Sequence, residues 1–316
     1  MALSTTSGAI QLPDMPRLTT TVPKEYVHRA TLAEVFLTGC TAREDLRFSL
    51  TGQWPRAHTL FNSADGRSHD PLQVAETFRQ AGMFLAHAEL GVPLGHHFVM
   101  WNLNYTTYLE NLHIGACPTD YVLHVKCTEI VRTGRRISQL RMEFGIRRED
   151  TVVAHGTAHF SAVTPPVYAR LRANRPRPDA ATVPLARPGS APMTPASVGR
   201  NSATDVVLTP TDMDTVWLLT PDLNHPIFFD HAGDHLPGMV LLEAARQAAC
   251  ALTAPATMPP ASMASVFQRY AELDRPCWIE VTRRTPADDG TMTVEVVGRQ
   301  DGETVFTTTI TGPVQP

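Results

Sequence analysis

The chain has 316 residues, of which 43% are hydrophobic and 18% charged, and it carries a net charge of -4. This composition can supply a hydrophobic core, which excludes a wholly disordered chain, and the length fits roughly two domains of ~150 residues. The weak negative charge disfavours nucleic-acid binding. Five scattered cysteines without a CxxC pair, and the lack of an apolar run of ~18 residues, argue against disulfides, a metal centre and a membrane span. We therefore expect a cytoplasmic protein that needs no metal or cofactor.

The first half of the chain predicts one helix and one sheet. Residues 1–21 form a tail without the pattern of a signal peptide. A β-rich segment at 28–39 is followed by a helix over 70–86, which is rich in Ala, Leu, Met and Gln and has apolar residues at helical spacing. Four further β-rich runs cover 97–109, 120–131, 135–148 and 150–163. Residues 22–163 are therefore predicted to be one domain.

A proline-rich segment follows this domain. Eight of the 26 prolines lie between Pro165 and Pro195, together with five arginines. Proline removes backbone donors and disfavours both helices and central strands. We expect residues 164–202 to be a partly extended linker on the surface with solvated arginines; contact of these arginines with a phosphate or an acidic partner is the alternative.

The second half repeats the order of the first. A β-rich segment at 204–212 precedes a helix over 237–253. Four β-rich runs follow at 264–273, 277–285, 291–300 and 303–312. One helix wrapped by a curved antiparallel sheet is the hotdog arrangement of the α+β class. We predict two tandem hotdog domains, 22–163 and 203–316, that form a pseudo-dimeric double hotdog; a homodimer of the whole chain is left open.

The two predicted helices share the pattern E-x-x-R-Q-A-x-x-x-L. Its polar members are Glu76, Arg79 and Gln80 in the first helix, and Glu243, Arg246 and Gln247 in the second. The second helix is apolar on nearly all sides, which predicts burial, and buried charges are costly unless they are paired. We interpret Glu243 and Arg246 as an active-site carboxylate and guanidinium. The alternative is a structural ion pair that fixes how the halves pack.

The loop before the second helix carries two Asp-His steps, Asp230-His231 and Asp234-His235. Histidine can act as a base near neutral pH, and a neighbouring carboxylate can orient it. The spacing matches no compact zinc motif. We therefore favour acid–base chemistry over metal binding in this loop.

The start of the second helix adds a third element. The backbone N–H groups around Gly238, Met239 and Val240 have no acceptor within a helix and could hold the negative oxygen of a thioester during acyl transfer. The sequence has no G-x-S-x-G elbow, and none of its cysteines has a local signature linking it to an Asp-His pair. Direct transfer to a bound acceptor is therefore simpler than a covalent acyl-enzyme.

Three segments resemble the AfsA family, the A-factor-type γ-butyrolactone biosynthesis proteins of actinomycetes. They are VPKEYVHRA at 22–30, the helix segment 76–80 and FFDHAGDHLPGMVLLEAARQAA at 228–249. The resemblance implies two hotdog repeats. It also implies an enzyme that transfers a β-ketoacyl group from acyl carrier protein, or from a coenzyme A thioester, to the hydroxyl of dihydroxyacetone phosphate. This is the first step towards γ-butyrolactone or furan-type signalling molecules.

The residues and the resemblance together give expected roles. Glu243, or His231 oriented by Asp230, would take the hydroxyl proton. The backbone at Gly238 and Met239 would hold the thioester oxygen. Arg246, Arg79 or both would bind the phosphate, and Glu76 would be a second base or a partner of Arg246 across the repeats. The expected substrate-binding set is completed by His235, Gln80 and Gln247.

Other hotdog functions stay open as alternatives. His231 and Glu243 are similar to the loop histidine and helix glutamate of β-hydroxyacyl dehydratases. However, the loop before Pro237 is shorter here, and the dehydratase helix has no arginine at the position of Arg246. An added guanidinium suits an anionic acceptor. A dehydratase or thioesterase, or a non-catalytic module that binds an acyl chain or lactone, are the alternatives.

Overall fold

The computed structural model describes residues 19–173, 175, 191–231 and 233–315. The described chain has three α-helices: α1 (Pro71–Phe84), α2 (Pro165–Leu171) and α3 (Gly238–Thr253). Its first six strands are β1 (Leu37–Ala42), β2 (Arg47–Trp54), β3 (His97–Thr107), β4 (Thr119–Thr133), β5 (Arg136–Arg148) and β6 (Thr151–Val163). The other six are β7 (Leu208–Pro210), β8 (Val216–Leu219), β9 (Ser262–Phe267), β10 (Trp278–Pro286), β11 (Thr291–Gln300) and β12 (Glu303–Pro313). None of the described helices is long and apolar enough to cross a membrane.

The strands form one antiparallel sheet with the order β1-β2-β4-β5-β6-β3-β9-β12-β11-β10-β8-β7. Read from the edge to the centre, the first half has the order β1-β2-β4-β5-β6-β3 and the second half the equivalent order β7-β8-β10-β11-β12-β9. In each half, the strand that directly follows the central helix lies at the middle of the sheet. These central strands, β3 and β9, pair with Asn104 opposite Ala264. The two halves are therefore related by a pseudo-twofold axis, and the predicted α+β tandem hotdog architecture is confirmed.

Each half wraps its part of the sheet around one buried helix. Helix α1 begins where Asp70 Oδ1 accepts the N–H of Leu72 at 2.8 Å, beside Pro71, whose missing N–H costs nothing at a helix start. Within the first core, the Phe78 ring of α1 stacks on Phe144 at 4.7 Å. Burial of such apolar surface is worth about 25 cal/mol per Å2 and is the main force that holds each helix in its sheet.

The segment before β1 is not the strand predicted over 28–39, because β1 starts only at Leu37. The preceding residues form two short 3-10 turns, Lys24–Val27 and Leu32–Glu34. His28 has a φ of 52°, which interrupts extended backbone. This turn matters because it brings Arg29 against Glu76 of α1 and His28 against His87, just beyond the end of α1.

The predicted linker 164–202 is packed against the repeats at both ends. After helix α2, Arg172 forms ion pairs with Asp234 at 3.1 Å and with Glu272 at 2.7 Å. At the other end, Arg200 is also buried. The expectation of solvated arginines is therefore wrong for Arg172 and Arg200, which pair with carboxylates in the interior, whereas Arg170 and Arg175 are exposed. Residues 176–190 and the tail 1–18 lie outside the described residues, and the domain boundaries stay predictions.

Candidate active site

The central helix of the second repeat carries a glutamate enclosed by two arginines and a glutamine. Glu243 is 0% exposed. It accepts hydrogen bonds from Arg200 at 2.5 and 2.7 Å, from Arg246 at 2.7 and 2.8 Å, and from Gln247 at 2.6 Å. Burial alone would raise the pKa of Glu243, but the charges of Arg200 and Arg246 outweigh it and lower the pKa to about 2.

Glu76 on α1 has the same surroundings in the first repeat. It accepts hydrogen bonds from Arg29 at 3.0 Å, from Arg79 at 2.7 Å on each oxygen, and from Gln80 at 2.7 Å. Burial opposes its ionisation, yet the charges of Arg29 and Arg79 lower the pKa of Glu76 to about 2. The expected pairing of Glu76 with Arg246 is not formed, because each glutamate is neutralised within its own repeat.

These contacts make both glutamates poor proton acceptors. Their oxygens already receive charge-assisted hydrogen bonds, and a pKa of about 2 leaves little basicity at neutral pH. The expectation that Glu243 or Glu76 acts as a base therefore conflicts with the geometry. The alternative of a structural ion pair describes both clusters better.

Arg29 and Arg200 are not among the residues that the sequence predicts for the site. A signal was present, because Val27-His28-Arg29 and Val198-Gly199-Arg200 occupy the same place in the two repeats. The match extends to their hydrogen bonds: Arg79 donates to the carbonyl of Val27 at 3.2 Å, and Arg246 donates to that of Val198 at 3.0 Å. The repeat is therefore conserved in geometry well beyond the helix pattern.

The same two arginines tie each repeat to the other. Arg29 Nη1 donates to the carbonyl of Ile227 at 2.7 Å, and Arg200 Nη1 donates to the carbonyl of Leu60 at 2.5 Å. Ile227 and Leu60 belong to the loops that precede the helix of the opposite repeat. Each Glu–Arg cluster thus positions a loop of the other half, so a site beside these loops is built from both repeats.

A cavity of about 360 Å3 lies between the repeats. Its apolar wall comes from both halves and includes Phe78, Phe98, Phe160, Phe228, Leu241 and Phe267. The predicted site residues that line it are Arg79, Asp230, His231, His235, Gly238 and Met239. The predicted residues outside its described lining are Glu76, Gln80, Glu243, Arg246 and Gln247, all held in the Glu–Arg clusters. The structure therefore splits the predicted set into a cavity group and a structural group.

Asp230 orients His231 at this cavity. The Asp230 side chain is 1% exposed and the His231 side chain 59% exposed, with Nδ1 of His231 2.5 Å from Oδ1 of Asp230. Burial disfavours the charged carboxylate, but the hydrogen bond from His231 and the charge of Arg29 lower the pKa of Asp230. A carboxylate can only accept, so Nδ1 carries a proton, and in the neutral ring the lone pair is at Nε2. His231 therefore has the tautomer that a catalytic base needs.

The second Asp-His pair holds helix α2 beside the cavity. Asp234 Oδ1 accepts hydrogen bonds from His235 Nδ1 and from the Tyr168 hydroxyl, each at 2.7 Å. The Tyr168 ring stacks on His97 with centroids 3.6 Å apart. All three aromatic side chains line the cavity. Asp234 thus holds α2 in place through Tyr168, whereas Asp230 orients a histidine at the cavity.

Helix α3 begins at the cavity without a capping side chain. The N–H of Val240 reaches the Pro237 carbonyl at 3.0 Å, whereas those of Gly238 and Met239 have no acceptor among the described residues. Free N–H groups at a helix start carry partial positive charge. Their role in stabilising an oxyanion stays a prediction.

His28 also lines the cavity, although the sequence gives it no role. Its Nε2 lies 2.8 Å from Nε2 of His87, and Nδ1 of His87 lies 2.7 Å from the carbonyl of Val92. Burial, the charge of Arg79 and the neighbouring His87 lower the pKa of His28 to about 3. Both rings are therefore neutral at neutral pH, since burial also lowers the pKa of His87.

The pseudo-twofold axis relates the loop before α3, which carries Asp230 and His231, to the loop before α1. The loop that begins at His58 aligns without gaps with the loop that begins at His225, and the ring of each histidine accepts two backbone N–H groups two and three residues on. By this alignment, Asp230 and His231 correspond to Ser63 and Ala64. The loop before α1 therefore has no Asp–His pair at the place of Asp230 and His231.

The remaining cavity groups are also missing there. Gly238 corresponds to Pro71, which has no N–H, and Met239 corresponds to Leu72, whose N–H is bonded to Asp70 at 2.8 Å. His28 corresponds to Gly199. The described chain thus assembles one complete set of reactive groups, while the Glu–Arg cluster is kept twice. Within the described residues, no group of three or more His, Cys, Asp or Glu side chains is arranged to hold a metal ion.

Fold and site together define a tandem hotdog protein with an asymmetric cavity between its repeats. The chain belongs to the AfsA family: residues 10–164 and 182–316 match the A-factor biosynthesis hotdog domain. The family resemblance seen in the sequence is thereby confirmed.

Three curated relatives carry the name 2-oxo-3-(phosphooxy)propyl 3-oxoalkanoate synthase. The protein from Streptomyces virginiae is 47% identical over 289 residues, covering 92% of this chain and 96% of the relative. The protein from Streptomyces coelicolor is 40% identical, covering 92% and 91%. The protein from Streptomyces griseus is 39% identical, covering 92% and 94%.

A solved structure supports the fold alone. The chain superposes on a protein from Lactobacillus plantarum, provisionally assigned as an oleoyl thioesterase, with a TM-score of 0.52 and 11% identity, covering 86% of this chain and 98% of that one. At this identity the likeness carries the hotdog architecture and no statement about the reaction.

Proposed function

We propose that this chain is an acyltransferase that moves a β-ketoacyl group from a thioester to the hydroxyl of dihydroxyacetone phosphate. The names of its relatives describe such an ester as the product of those proteins. The observation that carries the proposal is the convergence, in one cavity, of the Asp230–His231 pair, the free N–H groups of Gly238 and Met239, and Arg79.

The transfer uses His231 as base and then as acid. Nε2 takes the hydroxyl proton of the acceptor while its oxygen forms a bond to the thioester carbonyl carbon. Asp230 stabilises the imidazolium that results. When the tetrahedral intermediate collapses, the C–S bond breaks and the leaving sulfur receives the proton from Nε2. The products are an ester and a free thiol, and His231 returns to its neutral form.

The intermediate carries negative charge on the former carbonyl oxygen. The N–H groups of Gly238 and Met239 have no competing acceptor among the described residues and can donate to this oxygen. Removing one such donor from other enzymes costs about 100–1,000-fold in kcat. The start of α3 is therefore assigned as the oxyanion hole.

Arg79 supplies a positive contact for the phosphate. Its Nε and Nη2 are held by Glu76 and Val27, while Nη1 donates to the sulfur of Met83 at 3.0 Å, a weak acceptor that an anion can replace. The Arg79 side chain is 16% exposed, against 5% for Arg246. Of the two arginines predicted to bind phosphate, we therefore assign only Arg79.

The apolar wall of the cavity takes the acyl chain. Phenylalanines from both repeats and Leu241 of α3 form it. The thioester carrier, acyl carrier protein or coenzyme A, belongs to this proposal, as does a cytoplasmic location; a homodimer of the chain is a further open expectation.

The experiment is incubation of purified protein with a β-ketoacyl carrier protein and dihydroxyacetone phosphate, with products followed by mass spectrometry. We expect the phosphorylated ester or the butenolide formed from it, and a loss of about 100-fold or more in His231→Ala. His113→Ala, at an exposed histidine away from the cavity, is the control. Release of a free acid without acceptor would indicate a thioesterase instead, and an unsaturated thioester made from a 3-hydroxyacyl substrate would indicate a dehydratase.

A further inference from the structure

The histidine pair at His28 fixes which nitrogen is free to meet a ligand. The carbonyl of Val92 can only accept, so Nδ1 of His87 carries a proton. A neutral His87 therefore presents a lone pair at Nε2, and His28 must donate its own Nε2 proton across the 2.8 Å contact. Neutral His28 is then left with a lone pair at Nδ1. This nitrogen has no partner among the described residues.

His28 is placed to use that lone pair on a substrate. His28 lines the cavity together with Arg79 and His231, and a positive charge on either of these side chains lowers the pKa of His28. The position is also unusual in its backbone, because His28 is a non-glycine residue in the left-handed region, with a φ of 52°. The equivalent residue of the other repeat is Gly199, which fits this backbone without a side chain. A histidine is thus kept where a glycine would serve the fold.

We propose that His28 is a substrate-binding residue whose Nδ1 accepts the hydrogen bond of the acceptor hydroxyl in the bound complex before transfer. The single O–H then turns from Nδ1 of His28 to Nε2 of His231, which takes its proton as the bond to the thioester carbon forms. The proposal rests on the function proposed above, and it assigns the acceptor end of the cavity to His28 and Arg79. His28 stays neutral throughout, and His231 moves the proton. His87 is a positioning residue, because it acts only by turning the His28 ring.

A chemical argument separates the two histidines. Protonation of His28 is opposed by burial and by the charge of Arg79, which together with its neighbours lower its pKa to about 3. Such a ring is a poor base but a good neutral acceptor. His231 differs in its contacts, since its Nδ1 is held by the Asp230 carboxylate, which leaves Nε2 towards the cavity. His28 therefore holds the hydroxyl in the bound complex, and His231 takes its proton during transfer.

The test compares His28→Gly with His28→Asn. Glycine copies residue 199 and removes the acceptor, whereas asparagine tolerates the left-handed backbone and keeps an acceptor oxygen at the δ position. We expect His28→Gly to raise the KM for dihydroxyacetone phosphate by about tenfold or more, with the KM for the thioester unchanged within about twofold. His28→Asn should restore most of the acceptor KM. His155→Ala, at an exposed histidine of β6, serves as the matched control.

Several outcomes would overturn the proposal. An unchanged acceptor KM in His28→Gly would do so, and so would equal losses for both substrates. The shape of the pH–rate profile near neutrality should stay the same in His28→Asn, because His28 does not titrate there. If the wild-type protein forms no ester, calorimetric binding of dihydroxyacetone phosphate decides the matter separately. Binding that is lost in His28→Gly and kept in His28→Asn supports the role of His28, and absence of binding to wild type refutes it.

Discussion

His28 and Gly199 occupy equivalent positions in the two repeats and share a left-handed backbone, with φ values of 52° and 64°. Only His28 carries a side chain to a cavity. A Cβ on Gly199 would stand 3.2 Å from Nη1 of Arg246 and 3.5 Å from the sulfur of Cys250, so this place in the second repeat is already closed. This difference shows that the two repeats share one structural feature and differ in another. Both copies keep the Glu–Arg cluster that joins the halves, and one interface keeps the reactive groups.

Equal substitutions at the two helix arginines should have unequal consequences. Lysine cannot reproduce the bidentate contact of arginine with a carboxylate, so Arg79→Lys and Arg246→Lys should both lower stability. Only Arg79 lines the cavity. We expect Arg79→Lys to raise the KM for dihydroxyacetone phosphate by about tenfold, and Arg246→Lys to leave it within about twofold. Steady-state kinetics checks this, and a matching rise in both variants would contradict a single site per chain.

The buried glutamate of the second repeat should be more important for folding than for the reaction. Glu243→Gln leaves Arg200 and Arg246 buried beside a neutral amide, and breaking a buried ion pair in this way costs about 3–5 kcal/mol. We expect that loss in the free energy of unfolding, measured by denaturant titration. The control is Glu295→Gln, whose exposed partner Arg283 lies 3.7 Å away and whose pairing is worth at most about 1 kcal/mol. A fully stable but inactive Glu243→Gln protein would restore the glutamate as a candidate base.

The free energy of unfolding should fall in two successive steps as the pH is lowered. The folded pKa of His28 is lowered from 6.5 to about 3, so the unfolded chain binds a proton below pH 6.5 that the folded chain refuses. The glutamates follow: the pKa values of Glu76 and Glu243 are lowered from 4.5 to about 2, so their stabilisation is complete above pH 4.5 and is lost as the pH falls towards 2.

Denaturation midpoints measured from pH 7 to pH 3 would reveal this order. The decline between pH 6.5 and pH 4.5 should be shallower in His28→Gly than in wild type, because one of the histidines with a lowered pKa is gone. Parallel curves for the two proteins would show that His28 is not buried in its neutral form.

The oxyanion hole can be tested without breaking the helix. Proline is well tolerated at the first position of a helix, and α1 already has Pro71 at the place where α3 has Gly238. Gly238→Pro therefore removes one N–H from the cavity while keeping the helix start. We expect kcat to fall by about 100-fold with the melting temperature preserved. Gly238→Ala keeps the N–H and is the control, since a Cβ there lies at ordinary contact distance, 3.7 Å, from Phe267. Equal activities of the two variants would exclude this N–H from catalysis.

Much of this protein follows from local sequence pattern. The helical periodicity of 70–86 and 237–253 and the four β-rich runs after each helix predict the tandem hotdog, because burial of one helix face and one sheet face leaves few other packings. The shared E-x-x-R-Q pattern identifies the buried charges, and the Asp230-His231 step identifies the pair proposed for acid–base chemistry. These are short-range signals, carried by residues a few positions apart.

Only the tertiary structure decides what the charged groups do. Glu243 is a plausible base on a helix by itself, and it becomes a structural anion only because Arg200, more than forty residues earlier, adds a second guanidinium. His28 gains a role because a turn brings its ring to His87, 59 residues away in sequence. The cavity depends on residues of both repeats, since it joins Arg79 of the first repeat to His231 and Gly238 of the second. Sequence pattern determines which segments fold alike, while long-range contacts set the charge, exposure and tautomer on which the chemistry depends.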